Sequence, residues 1–556
     1  MTNGLKAGAP TAPVLTSALV ALAVLAHPTA AQTPPDAAHE VDQIFERWDG
    51  VTSPGCAVGV RKNGLTVLER AYGMADLEHG IANTPSTRFE GGSLSKQFTA
   101  AAVILLVLDG ALSLDDDVRQ YIPEVPDYGH TITLKHLLTH TSGLRDWGSV
   151  ASISGWGRGE RTHDHDWVLD IVSRQSALNF VPGHEYSYSN TGFNLLAIVV
   201  TRVSGMPFAD FSRERIFEPL GLSLTEWRDD YRRIVPGRST AYRTRDGGEG
   251  WEIDRPIENV FGNGGILTTV ADLGVWNEAL EDGRLGGPDF VRLMHDTGVL
   301  NDGSRTLYAS GLVVGESMGV PSVTHTGSTA GYRAFLGRYP EQDLSVAMIC
   351  NAANVSTGGT GASVARAYLG DAAEDPTTPD YASAARPEDA RRAGLYHDPV
   401  TGDTRELAFT AGVLHDGSTP LLRLDERTFQ VGAGDARYAF DTGSGRVGFE
   451  EESWEYSSQR WEPVEPWSPS ASELAAFTGT YHSVDAETTY VVSAEDGTLT
   501  VWQRPGDTRD LSPLYRDAFS MGGMIVRFRR DGAGNVDTLS LSLGRVYDMH
   551  FERAGR

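Results

Sequence analysis

The stretch Ser93 to Gly110, "SLSKQFTAAAVILLVLDG", constrains the fold more than any other. It has the length of a helix, and Gly110 supplies its stop. From Phe98 to Leu108 it is apolar on nearly every side. Such a helix has no face to give to water and must be covered all round by other elements. The chain has room for that. At 556 residues it exceeds the ~250–300 residues at which one core stops growing, so more than one domain is expected.

Strand patterns lie on both sides of this helix. "GCAVGVRKNGLTVLERAYG" predicts two strands joined at Asn63-Gly64, a strong two-residue hairpin turn. Much later come "SVTHTG" (Ser322 to Gly327), "YRAFLGRYP" (Tyr332 to Pro340) and "LSVAMICNA" (Leu344 to Ala352), the last two joined by Glu341-Gln342-Asp343. "TLKHLLTHTSGL" (Thr133 to Leu144) and "FNLLAIVVTRVSG" (Phe193 to Gly205) are helix-like. Strands at both ends with helices between predict an α+β domain: one antiparallel sheet, built from both termini and flanked by helices.

"DAAEDPTTPDYASAARP" (Asp371 to Pro387) has no apolar period and is rich in Pro, Asp and Ala, so it reads as a linker. Beyond it the chain changes to short alternating strands with Gly and Asp turns. "AGLYHDPVTGDTRELAF", near Ala393, and "TGTYHSVDAETTYVVSA", near Thr478, look like two copies of one unit. Two small all-β barrels would explain the repeat; a single larger β-domain is the alternative. The expected division is residues 36–372 for the first domain, 373–387 for the linker, 388–465 for the first barrel and 472–556 for the second.

Residues 1–31 resemble a secretory signal peptide. Lys6 precedes the apolar run "VLTSALVALAVLA" (Val14 to Ala26), and the small residues of "HPTAAQ" allow cleavage after Ala31. That run is too short to span a bilayer, and no later segment reaches ~20 apolar residues. Export to a periplasmic or extracellular location is expected, with no membrane span. The net charge of −27 argues against nucleic acid and against anionic membrane surfaces, and suits a solvated, soluble surface. Cys56 and Cys350 are the only cysteines. One pair is no disulfide framework, and two buried free thiols are the simpler expectation. A bridge would require the two segments to be neighbours.

Lysine occurs four times, at Lys6, Lys62, Lys96 and Lys135, among 47 lysines and arginines. Lys96 stands three residues after Ser93 and so shares its helix face. Gly91 and Gly92 let the chain turn into the helix, placing Ser93 at its N-terminus, where unpaired N–H groups favour developing negative charge. Burial of Lys96 would lower its pKa and leave a neutral amine that can take the Ser93 proton. Arginine could not do so. "YSYSNTGFNLL" adds Tyr188 and Asn190: a tyrosine that can shuttle protons and an amide that can hold a substrate amide. His325-Thr326-Gly327 closes a strand before a hairpin, unlike His415-Asp416-Gly417 in the tail.

These pieces, in this order, resemble the penicillin-recognising serine hydrolases: class C β-lactamases, D-alanyl-D-alanine carboxypeptidases, D-aminopeptidases and related esterases. "ITLKHLLTHTSGL", "GNGGILTTVADLGVW" and "HTGSTAGYRAFLGRYP" add to a likeness running from about Val41 to Leu369. The resemblance implies that Ser93 forms an acyl-enzyme, with Lys96 and Tyr188 managing its proton. The N–H groups of Ser93 and Ser328 would form the oxyanion hole. Asn190 would hold the acyl-side amide, while His325, Thr326 and Gly327 face the leaving part. No metal or cofactor is needed. The partner would be a small molecule or short peptide.

Tyr-Ser-Asn departs from the Ser-Asp-Asn of class A β-lactamases. His-Thr-Gly departs from the Lys-Thr-Gly of many β-lactamases and resembles some carboxypeptidases and the D-aminopeptidases. A histidine holds a β-lactam carboxylate less firmly than lysine would. Arg333 stands close enough in sequence to supply a carboxylate partner, or is a surface strand residue. D-aminopeptidases also carry paired barrels, and related hydrolases carry lipocalin-like tails. The expected activity is hydrolysis of small peptides with D-residues. An esterase, a class C-like β-lactamase and a slowly deacylating penicillin sensor are the alternatives. "THDHDW" (His163 to Asp166, then Trp167) is expected to be a polar loop with a helix cap rather than a metal site. Trp454, Trp461 and Trp467 are expected to pack between barrels rather than to bind sugar.

Overall fold

The computed structural model describes residues 36–375, 378–443, 445–453 and 458–555, with residues 1, 4 and 8. The rest of the leader expected at 1–31, and Trp454, lie outside them.

The first domain is built on a six-stranded antiparallel sheet. Its strands are β1 (Cys56–Lys62), β2 (Leu65–Tyr72), β3 (Val313–Ser317), β4 (Val320–Thr329), β5 (Tyr332–Tyr339) and β6 (Leu344–Cys350), in the spatial order β3-β4-β5-β6-β1-β2. The N-terminal hairpin therefore completes a sheet whose other strands come from the domain's far end. Asn63 and Gly64 turn it at φ 52° and 72°. Positive φ at both central residues gives a turn whose twist matches the strands.

The centre of the sheet is buried on both faces. On β6, Ala347 and Ile349 join one apolar cluster, and Val346, Met348 and Cys350 join another. The second cluster is covered by helices α1 (Ala37–Phe45) and α5 (Thr357–Leu369). The first is covered by α2 (Ser95–Leu108), α3 (Asn190–Ser204) and α4 (Val270–Asp282). α2 is the helix that is apolar on nearly every side, and Ser95 to Leu106 are buried throughout. Phe98 stacks on Trp276 of α4, whose Nε1 donates to Gln97 Oε1 at 2.8 Å.

Cys56 and Cys350 face each other across β6 and β1 and form a disulfide between positions 294 residues apart. The expectation of two free thiols fails here. The sheet built from both ends of the domain is what makes the two segments neighbours.

The tail forms two closed eight-stranded barrels, one from Gly394–His397 to Gln459–Pro463, the other from Gly479–Ser483 to Val546–Arg553. In each, the first strand pairs with the last. Tyr396 and Tyr481, equivalent in the two "YH" segments, donate to the carbonyls of Arg392 and Phe477, each four residues back. Trp461 is buried in the first barrel and Trp467 packs edge-on against Phe477 and Phe519 of the second, so neither forms an open strip.

The barrels differ in attachment. The first has its own core around Phe429, Phe440 and Phe449. The core of the second is continuous with that of the first domain. Tyr490 Oη donates to Ile153 O at 2.8 Å, Gln503 Nε2 to Ser152 O at 3.1 Å and Arg504 Nε to Ser154 O at 2.6 Å. The bonds to Ile153 O and Ser154 O satisfy carbonyls at the end of the helix Trp147–Ile153, while Ser152 O also accepts from Gly155 N at 3.1 Å. The second barrel therefore folds back onto the face of the first domain that carries the site.

Candidate active site

Ser93 lies in a 3-10 turn, Gly92–Leu94, that leads directly into α2. Two glycines let β4 approach this turn. Gly92 has φ +52°, and a Cβ there would stand 2.7 Å from the Ser328 nitrogen. A Cβ on Gly327 would overlap the Gly91 carbonyl oxygen. The backbone of Ser328 is thus pressed against the turn that carries Ser93, the arrangement two converging N–H donors require.

Lys96, the second residue of α2, is fully buried. Its Nζ lies 2.9 Å from Asn190 Oδ1, 2.8 Å from Asn263 O and 3.3 Å from Ser93 Oγ. Burial, and after it the charge of Arg545, hold its pKa well below the ordinary lysine value. A neutral amine has two protons and one lone pair. The two shorter contacts end on atoms that can only accept, so they take the protons. The lone pair is then left for the hydroxyl of Ser93.

Tyr188 flanks Lys96, with Nζ 4.7 Å from its ring centroid. Burial raises the phenol, hydrogen bonding to Ser93 and the charge of Arg545 oppose it, and the balance leaves it at about 12. Asn190 is the first residue of α3, and its N–H donates to Asp146 Oδ2 at 2.7 Å. That bond fixes the side chain whose Oδ1 holds Lys96.

His325 is buried on β4. Its Nε2 meets Tyr308 Oη at 2.9 Å and its Nδ1 meets Thr326 O at 2.6 Å. Burial, then the charge of Lys96, bring it down to about 4. It is a neutral imidazole that donates to the carbonyl and accepts from the phenol. Ser93, Tyr188, Asn190, His325, Thr326 and Ser328 all line one cavity of about 670 Å³. Lys96 lies beneath its floor, and Gly327 holds its wall against Gly91.

Arg333 is not part of this wall. Its Nη1 donates to Ala330 O and Tyr332 O, both at 2.7 Å, so the guanidinium folds onto its own hairpin. In "THDHDW", Asp164 caps the helix His165–Arg174 through Trp167 N at 2.9 Å. The rings of His163 and His165 lie against backbone carbonyls of Trp156, Arg161 and Phe261.

Four residues of the site were not singled out from the sequence. Tyr308 orients His325. His140, at φ +58°, packs its ring 4.2 Å from Tyr188 and accepts from Ser189 N at 3.2 Å. Asn263 supplies a carbonyl to Lys96. Arg545, from the second barrel, stands 4.6 Å over the Tyr188 ring. "THTSGL" and "GNGG" were visible as segments, but nothing marked Tyr308 or Arg545.

A family model described as Beta-lactamase matches residues 41–370. The chain belongs to the beta-lactamase family. Within the beta-lactamase family it is 28% identical over 309 residues to a penicillin-binding protein of Bacillus subtilis (strain 168), covering 52% of this chain and 66% of that one. It is 28% identical over 303 residues to the D-aminopeptidase of Brucella ovis, covering 54% and 56%. The matches thus span between about half and two thirds of the length of these curated relatives. The octameric penicillin-binding protein homologue from Pyrococcus abyssi superposes with a TM-score of 0.52 at 18% identity, over 82% of this chain and 95% of that chain. That likeness is one of fold.

Proposed function

We propose that the protein is an exported serine hydrolase that forms an acyl-enzyme on Ser93 and cleaves small peptides containing D-residues. One observation carries this reading: a buried Lys96 whose two N–H groups are engaged by Asn190 and Asn263 and whose lone pair is left for Ser93 Oγ. In the first step Ser93 Oγ bonds to the substrate carbonyl carbon and its proton passes to Lys96. The carbonyl oxygen takes the negative charge, opposite the N–H groups of Ser93 and Ser328. The carbon–nitrogen bond then breaks, and the leaving nitrogen gains a proton through Tyr188. Water attacks the ester, and Ser93 recovers its proton. In this reading Asn190 holds the acyl-side amide and Thr326 faces the leaving part.

The likeness to D-aminopeptidases and penicillin-binding proteins supports the peptide substrate, as does the neutral His325 in place of a permanent cation. Export is supported by the Cys56–Cys350 disulfide, since such bonds persist in oxidising compartments. Among the described residues no single helix is long and apolar enough to cross a membrane. The test is intact-protein mass after incubation with benzylpenicillin, beside Ser93→Ala, with D- and L-aminoacyl anilides assayed in parallel. An adduct on the unsubstituted protein alone, with turnover of the D-series, is expected. Full activity in Ser93→Ala would reject the assignment.

A further inference from the structure

We propose that Arg545 is the carboxylate anchor of this site, and that the substrate is a peptide whose leaving residue carries a free α-carboxylate. This rests on the hydrolase reading above and narrows its substrate class.

Arg545 sits at the tip of the hairpin between Val536–Leu543 and Val546–Arg553. Gly544 precedes it at φ +47°, the position where a two-residue hairpin turn needs glycine. The first domain grips this tip by its backbone. Arg545 O accepts from Asp146 N at 3.2 Å and from Asn179 Nδ2 at 3.0 Å. Tyr547 N donates to Asn179 Oδ1 at 2.9 Å, and Arg145 reaches Tyr547 O at 3.3 Å. The side chain is therefore presented from a fixed support.

The guanidinium has been given little to bind. Among the described residues it donates no hydrogen bond, and the carboxylate within reach is Asp146, at 4.0 Å. Both oxygens of Asp146 are already engaged, Oδ2 by Asn190 N at 2.7 Å and Oδ1 by Ser149 N at 3.1 Å. The Arg545 side chain remains 43% exposed, on the cavity wall. Arg158, the other guanidinium of that wall, is held by Glu258 through Nε at 2.9 Å. Among the described residues no Asp or Glu lines the cavity, in a chain whose net charge is −27. His325 is neutral and Arg333 is turned away, so Arg545 is the cation the wall offers to a ligand.

Its place beside Tyr188 sets which part of the substrate it meets. Tyr188 delivers the proton to the leaving nitrogen. In an α-amino acid the carboxylate carbon lies two bonds beyond that nitrogen, about 2.5 Å away. A guanidinium stacked over the Tyr188 ring falls within reach of that carboxylate. Its planar fork can take both oxygens at once.

The test uses the full-length protein and two peptides, N-acetyl-D-alanyl-D-alanine and its C-terminal amide. The acid should exceed the amide in kcat/KM by tenfold or more. In Arg545→Gln that ratio should fall toward 1, mainly through KM of the acid, and Arg545→Lys should restore part of it. An unchanged ratio, with both peptides slowed equally, would show that Arg545 acts only through Tyr188 and would overturn the proposal. Calorimetric titration of Ser93→Ala with the same two peptides reads the anchor without catalysis. Tighter binding of the acid that disappears with Arg545→Gln supports it, even if no peptide is turned over and the hydrolase reading fails. Equal binding of acid and amide, or no binding of the acid, rejects it.

Discussion

Arg145 and Asp485 form a buried ion pair, Nη1 to Oδ2 at 2.7 Å, that joins the first domain to the second barrel. Asp485 also accepts from Ser176 Oγ at 2.9 Å, and Arg145 continues to the carbonyl of Tyr547 beside the site. The pair thus lies between the folding of the barrel and the placement of Arg545. Removing one partner leaves the other charge buried without compensation, which costs about 3–5 kcal/mol. Asp485→Ala should lower the denaturant midpoint accordingly. Ser176→Ala, which leaves the ion pair in place, should cost only about 1 kcal/mol in the same titration.

Lys96→Arg puts a permanent cation where the neutral amine stood and loses the base, because a guanidinium does not give up its proton. Acylation by benzylpenicillin or by a D-aminoacyl anilide should fall by about 100–10,000-fold, the range lost with a general base. Stopped-flow or mass measurement of the acyl-enzyme checks it. Near-normal acylation in Lys96→Arg would remove the lysine from the proton path.

The pH dependence of acylation should carry an acid limb from Lys96. Below its pKa the ammonium has no lone pair for the Ser93 proton, so the rate falls as pH falls. The charge of Arg545 is one cause of the lowered Lys96 value. Arg545→Gln removes that cause, raises the Lys96 pKa and should move the limb to higher pH. A limb that stays in place would separate Arg545 from the proton chemistry.

Gly92→Ala should act on kcat. Its Cβ would stand 2.7 Å from the Ser328 nitrogen in a backbone already at φ +52°. Displacing one oxyanion donor costs about 100–1000-fold in kcat. Steady-state kinetics should show that loss with KM less affected.

His325 makes stability depend on pH. Its pKa is about 4 in the folded chain against 6.5 unfolded, so the unfolded chain binds the proton first as pH falls. Its contribution is fully present above pH 6.5 and is lost progressively down to about 4. The amount is on the order of 3 kcal/mol. His325→Gln should flatten the unfolding midpoint across this window; an unchanged slope would exclude the histidine as its source.

Local signals carried much of this molecule. The nearly all-apolar text from Phe98 to Leu108 required a central helix, and Asn63-Gly64 required a hairpin. The Ser93–Lys96 spacing puts both on one helix face whatever surrounds it. The repeat of Tyr396 and Tyr481 marked two barrels because each copy closes on itself. What escaped depends on long-range pairing. Cys56 and Cys350 read as separate thiols until β6 is laid beside β1. Tyr308 belongs to no periodic segment, and its role exists only through a hydrogen bond to His325. Arg545 is one arginine in a turn, and only the docking of the second barrel brings it over Tyr188. Arg333, near in sequence and turned aside in space, is the converse case.

The disulfide has a further consequence. Cys56 and Cys350 close a covalent ring that contains Ser93, Lys96, Tyr188, Asn190 and His325 to Ser328. A protease that cuts once inside this ring leaves every catalytic group on a single molecule, separable only by a reductant. Arg545 lies outside the ring, on a pendant branch that reaches the pocket by non-covalent contacts alone. One cut between Leu369 and Gly394 would put that branch on a separate molecule. The two halves of the pocket thus differ in how they survive damage: the reacting groups are tethered, and the wall that selects among substrates is detachable.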